Sequence, residues 1–313
     1  VDAAKYAGAD AVKFQTFKAE KLVTLAAEKA VYQTENTGHA GSQMDMLKAL
    51  ELADEAFVEL KKYCESQEIG FLSTPYGDQD VDLLEGVGVD AYKIASALSV
   101  EPEFVKYCCS KGKPVILATG MASLEELRCT MEMLTDEERS RVILLQCTTN
   151  YPACSASANL KAIQTLKNEF GCLSGYSDHT VDELTAVMSI AMGACMLERH
   201  LTLDKGMEGP DHKASSDPAE LKGYIEQVRL AESALGTGEK EPCEEERQNM
   251  ERMRRSVVMA RSLSKGQTIS REDLTVKRPA TGILPREIHE VVGCRAVIDL
   301  NTDETLTWDK LDR

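Results

Sequence analysis

The stretch 172–200, CLSGYSDHTVDELTAVMSIAMGACMLERH, contains two short apolar runs, CLSGYSD (172–178) and ACMLERH (194–200), each closing on polar residues. Between them, Thr180 and Glu183 have the spacing of a capping box, which predicts a helix opening just after His179. A strand, a turn carrying a histidine, a helix and a second strand ending in a histidine make one βαβ unit. The same rhythm runs upstream through AVKFQTF (11–17), GFLSTPY (70–76), AYKIAS (91–96), VILATG (115–120) and VILLQC (142–147). Segments of helical period separate these runs, among them EAFVELKKYCESQ, PEFVKYCCSKG and SLEELRCTMEML, the last opened by a capping box from Ser123 to Glu126. Seven near-continuously apolar strands alternating with helices predict a parallel sheet covered by helices, an α/β fold.

Several strands end on polar residues: Lys13 and Gln15, Ser73 and Thr74, Lys93 and Ser96, Thr119, and His200. Polar strand ends on one side suit the mouth of a (β/α)₈ TIM barrel, where such folds place their sites. A dinucleotide-binding Rossmann sheet is disfavoured because no GxGxxG follows a strand. A closed barrel needs eight strands, and the opening residues VDAAKYAG read as a helix end stopped by Gly8. The first strand is therefore expected to be missing from this chain. The barrel is expected over 1–238, followed by a charged linker or short surface helix over 239–255 and a small β-rich domain over 256–313.

The chain of 313 residues is 43% hydrophobic and carries a net charge of −16, the composition of an ordinary globular protein without the basic field that nucleic acid or an anionic membrane would require. An apolar run long enough to cross a bilayer and a signal-peptide layout are both missing, and the ten scattered cysteines include no CxxC. Reduced thiols and a cytoplasmic location are the expectation.

Of the five histidines, His39, His179, His200, His212 and His289, two fall at successive strand ends. His179 and His200 can present imidazoles to one point, as a two-histidine metal site requires, with water, substrate or a carboxylate such as Asp211 completing it. Each alone reads equally as a hydrogen-bonded structural residue. Asp178 is expected to orient an imidazole or cap the helix. Lys13 and Lys93 interrupt apolar strands, where an unpaired ammonium is costly. They form either a structural ion pair or a phosphate or carboxylate clamp, with hydroxyls at Ser73, Thr74, Ser96, Thr119 and Ser177 to complete an anion's hydrogen bonds.

With these residues in place the chain resembles the sialic acid synthase (N-acetylneuraminate synthase) family and its legionaminate and pseudaminate relatives. The strings that carry the resemblance are VKFQTF, FLSTPY, AYKIAS, ATGM, QCTTNYP, GYSDHT and LERHLTLDK, with GPDH shortly after. SVVMARSLSKGQTISREDLTVKRP resembles the family's C-terminal antifreeze-like (SAF) domain. The resemblance implies a transferase that condenses phosphoenolpyruvate with an N-acetylmannosamine-type sugar, aided by a divalent metal such as Mn2+, with Mg2+ or Co2+ as alternatives. It places the metal on His179 and His200, and phosphoenolpyruvate on Lys13, Thr74, Lys93, Ser96, Thr119, Thr149 and Ser177. Sugar contacts fall on Gln15, Tyr151, Asp211 and Arg278, the last reaching the partner's site in a domain-swapped homodimer.

Two departures bear on the sugar. The family's opening AEIGxNHxG-type strand is absent, and Leu98 stands where relatives carry an acid. They motivate a second reading, a non-catalytic or truncated paralogue that binds ligand without turnover. A third, the 3-deoxy-heptulosonate or 3-deoxy-octulosonate phosphate synthases, is opposed by the SAF-like tail.

Overall fold

The computed structural model describes residues 1–37 and 41–313; His39 lies outside the described residues. Contacts divide the chain into two compact units, Val1–Gly236 and Thr237–Arg313.

In the first unit α1 (Asp2–Ala7) ends on Gly8, whose φ of 88° is the left-handed conformation a helix stop favours. Seven parallel strands follow: β1 (Ala11–Thr16), β2 (Gly70–Pro75), β3 (Tyr92–Ile94), β4 (Val115–Ala118), β5 (Val142–Cys147), β6 (Leu173–Asp178) and β7 (Leu197–Arg199). β1 pairs with β2, and β3 to β7 form a continuous five-stranded sheet in chain order. Helices occupy the crossovers and give the half-barrel its outer layer, where Phe57, Leu84, Val105, Leu127 and Leu166 pack against the outward residues of the strands. The capping box at Ser123 forms, as does the Asp217 cap of the long helix α2 (Pro218–Leu235), in which Pro218 takes the first helical position.

The box expected from Thr180 to Glu183 does not form. The Thr180 N–H and hydroxyl both donate to the Asp178 carboxylate at 2.8 Å, so the helix starts later, at Leu184–Ala191, and the Leu184 N–H is met by Asp182. Among the described residues no strand lies between β7 and β1. Their edges instead flank a cleft of about 920 Å³ lined by Lys13, Met196, Glu198, Tyr224 and Val228.

The strands' two-residue period sorts the interior into layers. Leu72, Ile116, Ala118, Ile143, Leu145 and Met196 form an apolar floor. Two of these strands approach closely at Gly175, where a Cβ would sit 2.4 Å from the Met196 carbonyl oxygen. Above the floor come Lys13, Lys93, Ser177 and Glu198, and then the histidines.

The second unit opens with a helix, Glu244–Met253, inside the stretch read as a charged linker. Beyond it β8 (Ser256–Met259) pairs antiparallel with β9 (Leu274–Lys277), and β10 (Arg295–Ala296) with β11 (Leu311–Asp312). Its own core gathers Val257, Met259, Ile269, Val291, Leu300 and Leu306.

Candidate functional site

A charged layer forms the base of the site. Glu198 of β7 lies 3.8 Å from the Lys13 ammonium and 3.5 Å from that of Lys93, and it accepts a hydrogen bond from the Ser177 hydroxyl at 3.0 Å. Both lysines face the barrel interior, Lys13 from β1 and Lys93 from β3, so the one carboxylate serves both. Burial would push the Glu198 carboxyl up, but the two ammoniums outweigh it and hold the group at about 2. Lys93 is only 3% exposed, and burial pulls its ammonium below the usual lysine range despite Glu198. Lys93 also donates to the Ile94 carbonyl at 3.1 Å.

Hydroxyls ring this layer. The Ser96 hydroxyl accepts from the Gly120 N–H at 3.0 Å. A Cβ at position 120 would stand 2.3 Å from the Thr149 hydroxyl and 2.9 Å from that of Ser96, so only glycine leaves this concavity open. The Thr74 and Thr149 hydroxyl oxygens are buried without a partner. Orphaned buried hydroxyls beside two ammoniums are a cradle for an anion.

Two expected hydroxyls fall elsewhere. Ser73 points to the opposite face of β2 and bonds the Thr16 hydroxyl at 2.7 Å, because adjacent strand residues cannot both face the barrel interior. The Thr119 hydroxyl donates to the Leu145 carbonyl at 3.0 Å, which leaves it no proton to offer an anion as placed.

His179 and His200 stand above the lysines with ring centroids 5.2 Å apart, and Tyr151 packs 4.2 Å from the first and 5.4 Å from the second. His179 Nδ1 lies 2.9 Å from the Thr148 carbonyl oxygen, so that nitrogen carries a proton, and although burial opposes it, contact with Cys147 raises the imidazole above its usual range. Burial and then Lys13 hold His200 down at about 3, so it is neutral at neutral pH. Its Nδ1 lies 3.9 Å from Asp211 Oδ2, which is therefore no ion pair there. The other Asp211 oxygen is buried without a partner, and burial raises that carboxyl. Two adjacent imidazoles and an orphaned carboxylate oxygen are the ligand types that suit a divalent cation. Among the described residues no three His, Cys, Asp or Glu are arranged to hold a metal ion unaided, so water or substrate would supply the remaining ligands.

Asp178 touches neither imidazole; its carboxylate faces the helical layer, where Tyr224 and Arg199 donate to it at 3.1 Å. Gln15 shares the interior face with Lys13 and accepts from Tyr76 at 3.4 Å. Leu98, 7% exposed, packs in the outer core and does not face the site. Arg278 is exposed in the second unit.

Three groups in the site went unassigned from sequence. Glu198 could have been found by counting two residues back along the strand from His200. Tyr32 stacks 5.3 Å from Tyr151, with its hydroxyl pushed up to about 12 by burial and the Asp211 charge, but the long β1 loop that brings it there has no periodic signal. Cys147 Sγ lies 3.7 Å from His179 Nδ1, and although burial opposes ionisation, the imidazole holds the thiol below its usual range.

An anion cradle beside paired imidazoles, at the C-terminal ends of parallel strands, defines a (β/α)-barrel enzyme of the kind that handles phosphorylated or carboxylated substrates. Residues 1–240 match the NeuB family and residues 254–312 the SAF domain. The chain belongs to the NeuB family, the sialic-acid-type synthases. It is 44% identical to an N,N'-diacetyllegionaminic acid synthase of Legionella pneumophila over 100% of this chain and 89% of that protein. A synthase of the same name from Campylobacter jejuni is 40% identical over 98% of this chain and 92% of that protein. The crystal structure of an N-acetylneuraminic acid synthetase from Leptospira borgpetersenii superposes with a TM-score of 0.68 at 30% identity, covering 80% of this chain and 82% of that one. No helix among the described residues is long and apolar enough to cross a membrane.

Proposed function

We propose that the protein condenses phosphoenolpyruvate with a 2-acetamido sugar to give a sialic-acid-type nonulosonate and phosphate. The observation that carries this reading is the stacking of two layers: the Lys13 and Lys93 ammoniums around Glu198, and directly above them the His179 and His200 imidazoles. Lys13 and Lys93, with Ser96, Ser177 and the unpartnered hydroxyls of Thr74 and Thr149, bind and orient the phosphate and carboxylate of phosphoenolpyruvate. Glu198, between the two ammoniums, holds them aimed at the cradle. Gln15, Tyr151 and Asp211 receive the open-chain sugar, and Tyr151 with Tyr32 screens the reacting carbons from bulk water.

His179 and His200 would hold a divalent metal, Mn2+ with Mg2+ or Co2+ as substitutes, which when bound supplies Lewis-acid polarisation of the sugar aldehyde. Carbon 3 of phosphoenolpyruvate then attacks that carbonyl carbon, water adds at carbon 2, and phosphate departs with the bridging oxygen. Arg278 is proposed to reach the sugar site of the partner in a homodimer, where a planar guanidinium can hydrogen-bond an acetamido oxygen.

The 44% identity to a diacetyllegionaminic acid synthase, against 30% to the neuraminic acid synthetase, favours a diacetamido sugar over N-acetylmannosamine. Phosphate release measured with phosphoenolpyruvate, Mn2+ and each sugar in turn tests both levels of the reading. Release with either sugar supports the synthase, and the larger kcat/KM identifies the substrate. Phosphoenolpyruvate binding without release under any combination supports the non-catalytic reading that the open strand edges motivate.

A further inference from the structure

We propose that Asp178 and Arg199 are positioning residues that set, from outside the barrel, the spacing of the two imidazoles at its mouth. Each immediately precedes one of the histidines, and the two are direct partners in the β6–β7 register, one step beyond Ser177 and Glu198. The two-residue period alternates the pairs: Ser177 with Glu198 inside, Asp178 with Arg199 outside, His179 with His200 inside. The outer pair therefore sits between the two inner ones as a bolt through the sheet.

The bolt grips the segments that carry or flank His179 and His200. Arg199 Nη1 donates to Asp178 at 3.1 Å, Nη2 to the Val181 carbonyl at 3.2 Å just past His179, and Nε to the Ser216 hydroxyl at 2.8 Å. Ser216 in turn donates its N–H to the His200 carbonyl at 2.9 Å and accepts from the Thr202 N–H at 2.9 Å. Tyr224 of α2 closes the assembly, donating to Asp178 at 3.1 Å while its ring lies 4.9 Å from the guanidinium. The side chains of Arg199 and Asp178 are 8% and 0% exposed. A buried ion pair is often no more stabilising than an apolar pair of equal volume, so packing alone does not call for one here. What it supplies is geometric: a planar fork with fixed donor directions allows one relative placement of the 178–181 turn, β7 and the segment before α2.

This inference rests on the reading of His179 and His200 as the metal-holding end of the site, and its test separates the two. Arg199→Met keeps the length and removes every donor; Arg199→Lys keeps the charge but not the fork; Tyr224→Phe removes a single hydrogen bond. Mn2+ affinity is measured by electron paramagnetic resonance, and the imidazole signals of metal-free protein by 15N-histidine NMR. The expected result is a Mn2+ Kd raised about 10- to 100-fold in Arg199→Met, the usual scale for losing an outer support of a metal ligand. The ring signals of His179 and His200 should shift while that of His289 stays, and Arg199→Lys should recover melting temperature but not Mn2+ affinity. A lowered melting temperature with unchanged Mn2+ Kd and unchanged ring signals would make the pair merely structural and overturn the proposal. If wild-type protein binds no Mn2+, the metal reading fails and the ring signals alone decide the positioning role. If Arg199→Met does not fold, Tyr224→Phe decides: smaller shifts of the same two rings support the proposal, and none overturns it.

Discussion

Replacing Glu198 with Gln removes the carboxylate that Lys13 and Lys93 share and leaves their two ammoniums facing one another across a neutral carboxamide. At 3.8 and 3.5 Å, each lost attraction is worth about 4 kcal/mol gross at an effective dielectric of about 20. Removing one partner of a buried pair costs a net of about 3–5 kcal/mol, because the remaining charge stays desolvated. For a domain of this size each kcal/mol moves the melting temperature by about 2–4 °C, so a fall of roughly 6–20 °C is expected in Glu198→Gln. Inorganic phosphate should restore part of that loss, since an anion in the cradle replaces the missing charge, and its stabilising effect should exceed that on wild type. Differential scanning calorimetry with and without phosphate reads both quantities. A melting temperature within about 2 °C of wild type, on the same scale, would mean that the lysines do not depend on Glu198. A phosphate response no larger than wild type would mean that the cradle is not an anion site.

The same carboxylate predicts a pH dependence. Its folded value of about 2 lies below the ordinary 4.5, so its stabilisation is complete above about pH 4.5 and is lost as pH falls through about 2; the gap in urea midpoint between wild type and Glu198→Gln should close over that window. Lys93→Ala should raise the KM for phosphoenolpyruvate roughly 10- to 100-fold, the loss of one charge-assisted contact, while His200→Ala should abolish turnover with metal present; unchanged turnover in the histidine variant defeats its assignment. Mixing inactive His200→Ala subunits with inactive Arg278→Ala subunits should restore activity if the tail serves the partner's site, and no recovery after verified exchange argues for a tail that acts otherwise. An alternating apolar segment fused ahead of Val1 should pair the open edges of β1 and β7 and raise the melting temperature; an equal melting temperature would show that the cleft does not take a strand.

The strands could be read from the sequence because β-branched runs bounded by turn residues leave few alternatives, and all seven appear, some shortened to three residues. The misplaced Ser73 and the missed Glu198 share one physical source, the two faces of a strand. Ser73 and Thr74 are neighbours, so only one could face the interior, and Thr74 shares that face with Lys13 and Gln15. The rule that puts His200 inside also puts Glu198 inside and Arg199 outside. The Thr180 capping box failed because the Asp178 carboxylate takes both the Thr180 N–H, which Glu183 would have accepted, and the Thr180 hydroxyl, which would have capped the Glu183 N–H. Tyr32 depends on a long loop whose path is set by tertiary contacts, and local patterning does not specify it.

On the proposed function, phosphoenolpyruvate loses its phosphate by carbon–oxygen cleavage in a step that requires an acetamido sugar. Phosphoenolpyruvate labelled with 18O at the bridging oxygen, incubated with the protein, Mn2+ and the diacetamido sugar, is predicted to release phosphate that retains the label, only when the sugar is present and in equal amount with the nonulosonate product. Unlabelled phosphate, or release that does not depend on the sugar, would contradict the account.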